Sequence, residues 1–227
     1  MQNLLVVDTS SSRSVLAVKT EEKFIDRTET RRSAHSRDIL SRLKNIISEA
    51  GIELSDLDCI IFGCGPGSYT GIRITVGVVQ GLSYGSDIPV VSVSSLEALA
   101  YCSIEENSYS LKEGNKILVS ILARANEYFL GAYEWKNGSV EPILPEKLVS
   151  SEELYSLPEG NWFGIGNTRK FRDEIKLVTG VEVKSFIVRE YFSASSLLKI
   201  GQTKIEAEKI LEPTAAIPKY LKEVIVG

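Results

Sequence analysis

Gly63-Cys64-Gly65-Pro66-Gly67-Ser68-Tyr69-Thr70-Gly71-Ile72-Arg73-Ile74-Thr75-Val76-Gly77-Val78-Val79-Gln80-Gly81-Leu82-Ser83-Tyr84-Gly85 is the stretch on which the chain is organised. It follows the apolar run Cys59-Ile60-Ile61-Phe62, which reads as a buried strand. From Thr70 to Gly85 the spacing of Ile72, Val76, Val79 and Leu82 predicts a helix, with Thr70 or Ser68 as its N-cap. A strand, a glycine-dense turn and a helix in that order make a β-to-α unit.

Glycine in a helix interior costs about 1 kcal/mol relative to alanine. Gly77, Gly81 and Gly85 nevertheless recur every fourth residue, so one helical face is almost bare of side chains. Such a face suits the close approach of another backbone, either from the protein's own sheet or from a second subunit. In the turn, Gly63, Gly65 and Gly67 permit positive φ or a close neighbour, and Pro66 fixes one φ. Amides ahead of a helix suit an anion, but the phosphate signatures fail. No Lys follows Gly71 as a P-loop requires, and Ser68 stands where a dinucleotide fingerprint beginning at Gly63 needs Gly. Pro66 likewise removes the first glycine of a nucleophile elbow at Ser68. The stretch is a structural turn first and an anion site second.

Gly65-Pro66-Gly67-Ser68-Tyr69-Thr70-Gly71-Ile72-Arg73 resembles the hallmark of the bacterial TsaB (YeaZ) family, and the agreement runs on through Gln80-Gly81-Leu82 to Pro89 and Val93-Ser94-Ser95-Leu96. The resemblance covers the first part of the chain well and the remainder in patches. It implies an α/β, two-lobed actin-like ATPase (ASKHA) fold, each lobe a mixed sheet flanked by helices. It also implies a role beside the TsaD enzyme in making threonylcarbamoyladenosine, a modification of the adenine next to the anticodon in tRNAs that read codons starting with A.

Asn3 to Val7 reads as an apolar strand ending at Asp8-Thr9-Ser10-Ser11-Ser12, and Val15–Lys19 and Lys23–Thr28 as the next two strands of an antiparallel meander. Asp-Thr-Ser alone is ordinary turn chemistry. The resemblance adds a nucleotide reading, weak or confined to a complex interface, for Asp8, Thr9 and Ser10 together with Gly65 and Gly67. Ser33 to Ala50 is an amphipathic helix with Ile39, Leu40, Leu43, Ile46, Ile47 and Ala50 on its apolar face, stopped by Gly51. His35, the one histidine, falls in its first turn, where it marks the resemblance without proving chemistry. Pro89–Val93 and Ser94–Cys102 continue as strand and helix, completing a mixed-sheet unit.

The polar stretch Glu105 to Gly114 places a domain boundary, giving a first lobe at 1–104, a second at 105–211 and a C-terminal segment, 212–227, packing back on the first. In the second lobe Lys116–Ile121, Glu127–Trp135, Val140–Leu148 and Trp162–Ile165 read as strands. Ser150–Leu157, Thr168–Val178 and Ser193–Leu211 read as helices. Pro218-Lys219-Tyr220-Leu221 resembles the family's closing Pro-x-Tyr-Leu. Leu122-Ala123-Arg124 departs from the family's usual Asp-Ala-Arg, which puts an acid or metal role for this loop in doubt. Gly164-Ile165-Gly166-Asn167 fits a plain β-to-α turn better than an adenosine contact.

A chain of 227 residues, 43% hydrophobic and 25% charged, is ordinary for one large or two small globular domains. A net charge of −4 argues against a nucleic-acid surface on this chain alone. No apolar run approaches the length of a membrane span, and no basic-then-apolar leader opens the sequence. The cysteines, Cys59, Cys64 and Cys102, are odd in number without Cys-x-x-Cys spacing, which fits reduced thiols in the cytoplasm.

By the resemblance, TsaD holds its metal with a His-x-x-x-His pair whose positions are here Ser95 and Leu99. Neither can replace histidines spaced to share a helix face. The expected function is therefore a non-catalytic partner that binds and activates TsaD, with a TsaE-type ATPase as a further partner and tRNA reached only through the complex. The chain is expected to be a homodimer in isolation, with no metal and no tightly bound cofactor. ATP or ADP with magnesium is left to the partner interface. The resemblance assigns that interface to His35, Ile39, Leu43, Arg73, Val76, Gly77 and Gly81. The competing readings are a free-standing ATP-dependent kinase, which needs a cleft carboxylate that Leu122 does not supply, and a peptidase, for which one histidine at a helix start is a poor base.

Overall fold

The computed structural model describes residues 2–30, 38–105, 111–124, 126–150, 152–153, 155–167 and 169–221. They form two compact units. The first takes Met1–Ser95 and Ser193–Lys219; the second takes Leu96–Phe192 and the chain end from Tyr220.

The first unit opens with β1 (Leu4–Asp8), β2 (Arg13–Lys19), β3 (Phe24–Asp26) and β4 (Glu29–Thr30), then α1 (Ile39–Ala50), β5 (Cys59–Gly65), α2 (Tyr69–Ser86) and β6 (Val90–Ser94). Its sheet runs β3-β2-β1-β5-β6, with β4 also on β2. β1 and β2 are antiparallel, with Asp8 opposite Val15. β5 lies parallel to β1 on one side and to β6 on the other. Leu5, Val7, Leu16, Val18, Ile60 and Phe62 point to one face and share a core with Ile39, Leu43, Ile46 and Ile47 of α1 and Ile72, Val76 and Val79 of α2. The alternate residues, among them Val6, Ala17 and Ile61, are buried too. With both faces covered, these strands read as continuous apolar runs rather than alternating ones.

α2 begins at Ser68, whose hydroxyl accepts the Gly71 N–H at 3.3 Å. α1 ends at Gly51, held left-handed at φ 79°. Its described start is Ile39 rather than Ser33, and His35 lies outside the described residues.

The second unit follows α3 (Ser95–Glu105) with β7 (Lys116–Arg124), β8 (Glu127–Lys136), β9 (Ser139–Ser150), β10 (Trp162–Gly166), α4 (Arg169–Thr179) and β11 (Val183–Val188). The sheet order is β11-β10-β7-β8-β9. β7, β8 and β9 form an antiparallel meander, while β10 and β11 extend it in parallel. Asn137 and Gly138, both at positive φ, make the tight β8–β9 turn. Leu118, Tyr128, Leu130 and Trp162 pack against Ile175 and Val178 of α4.

Three expectations need correction. The helix α5 (Ala194–Glu206) belongs to the first unit, not to a second lobe ending at 211. It closes the open face of the first sheet, and a Cβ at Gly201 would stand 2.5 Å from the Ile61 side chain, so only glycine allows so close a seat. No helix forms over the described residues between 150 and 157. β9 runs on to Ser150, and Tyr155 and Leu157 donate their N–H groups to Val178 and Thr179 carbonyls instead. β11 was not foreseen at all. Gly164 was its signal, since a Cβ there would collide with the Phe186 ring of β11 at 2.3 Å.

Candidate functional site

Asp8 ends β1 and is completely buried. One carboxylate oxygen accepts the Ser10 N–H at 2.8 Å and the other accepts the Ser10 hydroxyl at 2.8 Å. The Ser10 hydroxyl stands 3.2 Å from that of Ser95. The room for the carboxylate comes from Gly63, where a Cβ would fall 2.0 Å from Asp8 Oδ2.

Thr9 is drawn in the other direction, toward the start of α2. Its N–H donates to Thr75 Oγ1 at 2.8 Å, and its hydroxyl donates to the Gly71 carbonyl at 2.7 Å. Gly71 is bare because a Cβ would stand 2.0 Å from the Thr9 carbonyl oxygen. The Ser10 carbonyl accepts the Ser68 N–H at 2.8 Å and comes within 2.6 Å of a Cβ position at Gly67. Gly65 has φ 99°, and its carbonyl neighbour, that of Cys64, accepts the Lys219 N–H at 2.8 Å.

The structure thus brings Asp8, Thr9, Ser10 and Gly67 together, while Gly65 faces Ile72 and Lys219. Their groups, however, are turned on each other: the turn takes the carbonyl of Ser10, Ser10 takes both carboxylate oxygens, and α2 takes Thr9. The Ser10 N–H and hydroxyl, donors that an anion would need here, are both taken up by Asp8.

α2 presents a second feature. Its inner side, Ile72, Thr75, Val76, Val79 and Ser83, is buried. Arg73, Gly77, Gln80, Gly81, Tyr84 and Gly85 are exposed on the opposite side. Among the described residues, nothing lies within 4 Å of a Cβ position at Gly77, Gly81 or Gly85. Packing of these glycines on the protein's own sheet is therefore ruled out. Tyr84 is 76% exposed, and the Arg73 guanidinium lies 4.0 Å above the Tyr69 ring. Beside this face Leu40, 60% exposed, and Leu82 line an apolar groove with Leu43 and Ile47.

Three residues expected at the partner interface are corrected. Ile39, Leu43 and Val76 are buried in the first unit's own core, because the inward side of each helix must cover the sheet. Arg73, Gly77 and Gly81 do lie on the open side. Sequence reasoning marked Gly63 for a close neighbour, which is the Asp8 carboxylate, but passed over Thr75, which holds Thr9, and gave no role on the open face to Gln80 or Tyr84. The period of four that singled out the glycines also passes through Arg73, so that strip was legible.

Ser95 is buried in contact with Ser10, and Leu99 is buried. Leu122 on β7 is 38% exposed, and its N–H donates to Asn167 Oδ1. Among the described residues there is no cluster of three His, Cys, Asp or Glu side chains able to hold a metal ion.

Residues 28–218 match the family model described as TsaD, tRNA N6-adenosine threonylcarbamoyltransferase. The TsaB protein of Haemophilus influenzae, a tRNA threonylcarbamoyladenosine biosynthesis protein, is 30% identical over 182 residues, 73% of each chain. Its Escherichia coli counterpart is 28% identical over 225 residues, 96% of this chain and 94% of that one. YeaZ from Pseudomonas aeruginosa superposes with a TM-score of 0.85 at 28% identity, covering 97% of this chain and all 100% of that one. Two mixed sheets flanked by helices, with a glycine turn between β5 and α2, give the actin-like ATPase fold, and the match over residues 28–218 places the chain in the class that the TsaD family model describes. Within that class the chain belongs to the TsaB (YeaZ) family.

Proposed function

We propose that this chain works in threonylcarbamoyladenosine biosynthesis as the partner subunit of a TsaD-type threonylcarbamoyltransferase, which it binds and activates without contributing catalytic residues of its own. The observation that carries this reading is the open face of α2. Gly77, Gly81 and Gly85 together cost roughly 3 kcal/mol of helix propensity, and no described part of the chain packs against them. A partner helix lying close along that face recovers the cost through backbone-to-backbone contact. A second copy of the chain would use the same face in a homodimer.

The occupied Asp8–Ser10 loop supports a subunit with no tightly bound nucleotide, so that ATP or ADP with magnesium belongs to the partner interface. A TsaE-type ATPase completes the complex, and tRNA is reached only through it, in keeping with the chain's net charge of −4. No described helix is long and apolar enough to cross a membrane, and the setting proposed is the cytoplasm. A kinase or peptidase reading gains nothing here, since Leu122 supplies no carboxylate and the Ser10 hydroxyl that meets Asp8 is buried.

The test is reconstitution. Purified chain with tRNA, threonine, bicarbonate and ATP should give no threonylcarbamoyladenosine, and adding the TsaD-type enzyme and the TsaE-type ATPase should give product that depends on this chain. Product from the chain alone would overturn the partner reading.

A further inference from the structure

Residues 211–219 are fastened to the first unit at three places. Leu211 exchanges both backbone hydrogen bonds with Val90 on the outer edge of β6, at 2.9 and 3.0 Å. The Ala216 carbonyl accepts from Gln80 Nε2 at 2.7 Å, and the Ala216 side chain is sunk in the same core as α1 and α2. Three residues on, the Lys219 N–H donates to the Cys64 carbonyl at 2.8 Å, and the Lys219 carbonyl oxygen comes within 3.3 Å of a Cβ position at Gly65. Between these points Pro213 is buried and Ile217 is 62% exposed.

Gln80 matters because of where it stands. It lies on the exposed side of α2, between Gly77 and Tyr84, yet its side chain reaches across to the segment's backbone. The segment therefore touches the open helix face with one residue and the glycine turn with another. That turn is itself tied to the Asp8 loop, through Ser68 N–H to the Ser10 carbonyl. A short link fastened at each end transmits a change when it opens as one piece.

We propose that residues 211–219 form a strap that couples the open face of α2 to the glycine turn and the Asp8–Ser10 loop, with Gln80 as the positioning residue. Anything that lies on this face and moves the Gln80 side chain releases Ala216, and with it the hold of Lys219 on Cys64. The coupling is a property of the single chain and does not depend on the identity of a partner.

Amide hydrogen exchange on the full chain tests it, read at the Lys219 and Ser68 N–H groups. Gln80→Ala and Gln80→Glu both remove the donor to Ala216, and both lie at an exposed helix position that tolerates either residue. Loss of one such bond should speed exchange at Lys219 and Ser68 by roughly fivefold in both variants. The core amides of β1 and β5 should keep their rates. Tyr84→Ala, one turn along the same exposed face, should leave all these rates as they are. Faster exchange confined to the neighbourhood of Ala216 would overturn the proposal. So would a uniform rise that includes β1 and β5, or the same change in Tyr84→Ala.

Discussion

Alanine placed at two glycines of one helix should have opposite effects. At Gly81 nothing lies near the new methyl group, so Gly81→Ala should gain the helix-propensity difference, about 0.5–1 kcal/mol. At Gly71 the same gain is available, but the methyl would stand 2.0 Å from the Thr9 carbonyl oxygen and 2.8 Å from its carbon. That is about 1.3 Å short of an ordinary carbon–oxygen contact. The obstacle is backbone, so no rotamer change relieves it. The β1–β2 turn must retreat, which loosens Thr9 N–H to Thr75, Thr9 hydroxyl to Gly71, and Ser68 N–H to Ser10. Three buried bonds at about 1 kcal/mol each, less the propensity gain, leave Gly71→Ala about 2 kcal/mol less stable. For a chain of this size the melting temperature should fall by about 4–8 °C for Gly71→Ala and rise by about 1–4 °C for Gly81→Ala. Far-UV circular dichroism follows both units, and Trp135 and Trp162 fluorescence reports the second alone, so a transition seen only by circular dichroism belongs to the first. The experiment belongs at concentrations where the chain is monomeric. Equal stability of the two variants would refute the close contact between the Asp8–Ser10 loop and α2.

Asp8→Ala should cost about 2–3 kcal/mol, because the Ser10 N–H and hydroxyl lose their buried acceptor, and urea unfolding measures it. Titration of the isolated chain with Mg-ATP in a calorimeter should give no binding heat, and tight binding abolished by Asp8→Ala would contradict the occupied-loop reading. Stability should fall as the pH rises from about 9 toward 12. Burial pushes the Cys59 thiol up to about 12, with the Asp58 charge adding to it. Burial does the same to the Tyr128 and Tyr155 hydroxyls, aided by Glu174 and Glu146 respectively. The unfolded chain gives up these protons first, so the folded state loses ground as the pH climbs to the folded values. Cys59→Ala should move the onset of the fall to about pH 10, where the tyrosines take over; an unchanged onset would show that Cys59 does not contribute.

The first sheet was legible because its strands are buried on both faces and end in unmistakable turns. Asp8-Thr9-Ser10 and Gly65-Pro66-Gly67 mark where β1 and β5 stop. The glycine period of α2 was equally plain, but which partner it faces is decided by tertiary packing, and only the empty space around Gly77 and Gly81 excludes the chain's own sheet. Ile39, Leu43 and Val76 were misassigned for a related reason. An amphipathic helix has one apolar side, and the sheet claims it before any partner can. The second unit was harder to read. Val183–Val188 is half exposed at a sheet edge, which removes the apolar run that marks a buried strand. The placement of α5 rests on contacts with strands more than a hundred residues away. A glycine in mid-helix, Gly201, was the local trace of that contact.

The open face of α2 is tested most directly by Gly81→Leu in a binding measurement with the purified TsaD-type enzyme. The Cβ of a leucine there has no described atom within 4 Å beyond its own stretch of helix, so the variant should keep the circular dichroism spectrum and melting temperature of the parent. A stable contact of about 1,200–2,000 Å² in total needs the two helix faces in close register, and the added side chain prevents that approach. The account predicts a folded chain that no longer associates with the enzyme on size exclusion and no longer supports threonylcarbamoyladenosine synthesis. A folded Gly81→Leu variant that binds and activates as the parent does would contradict it.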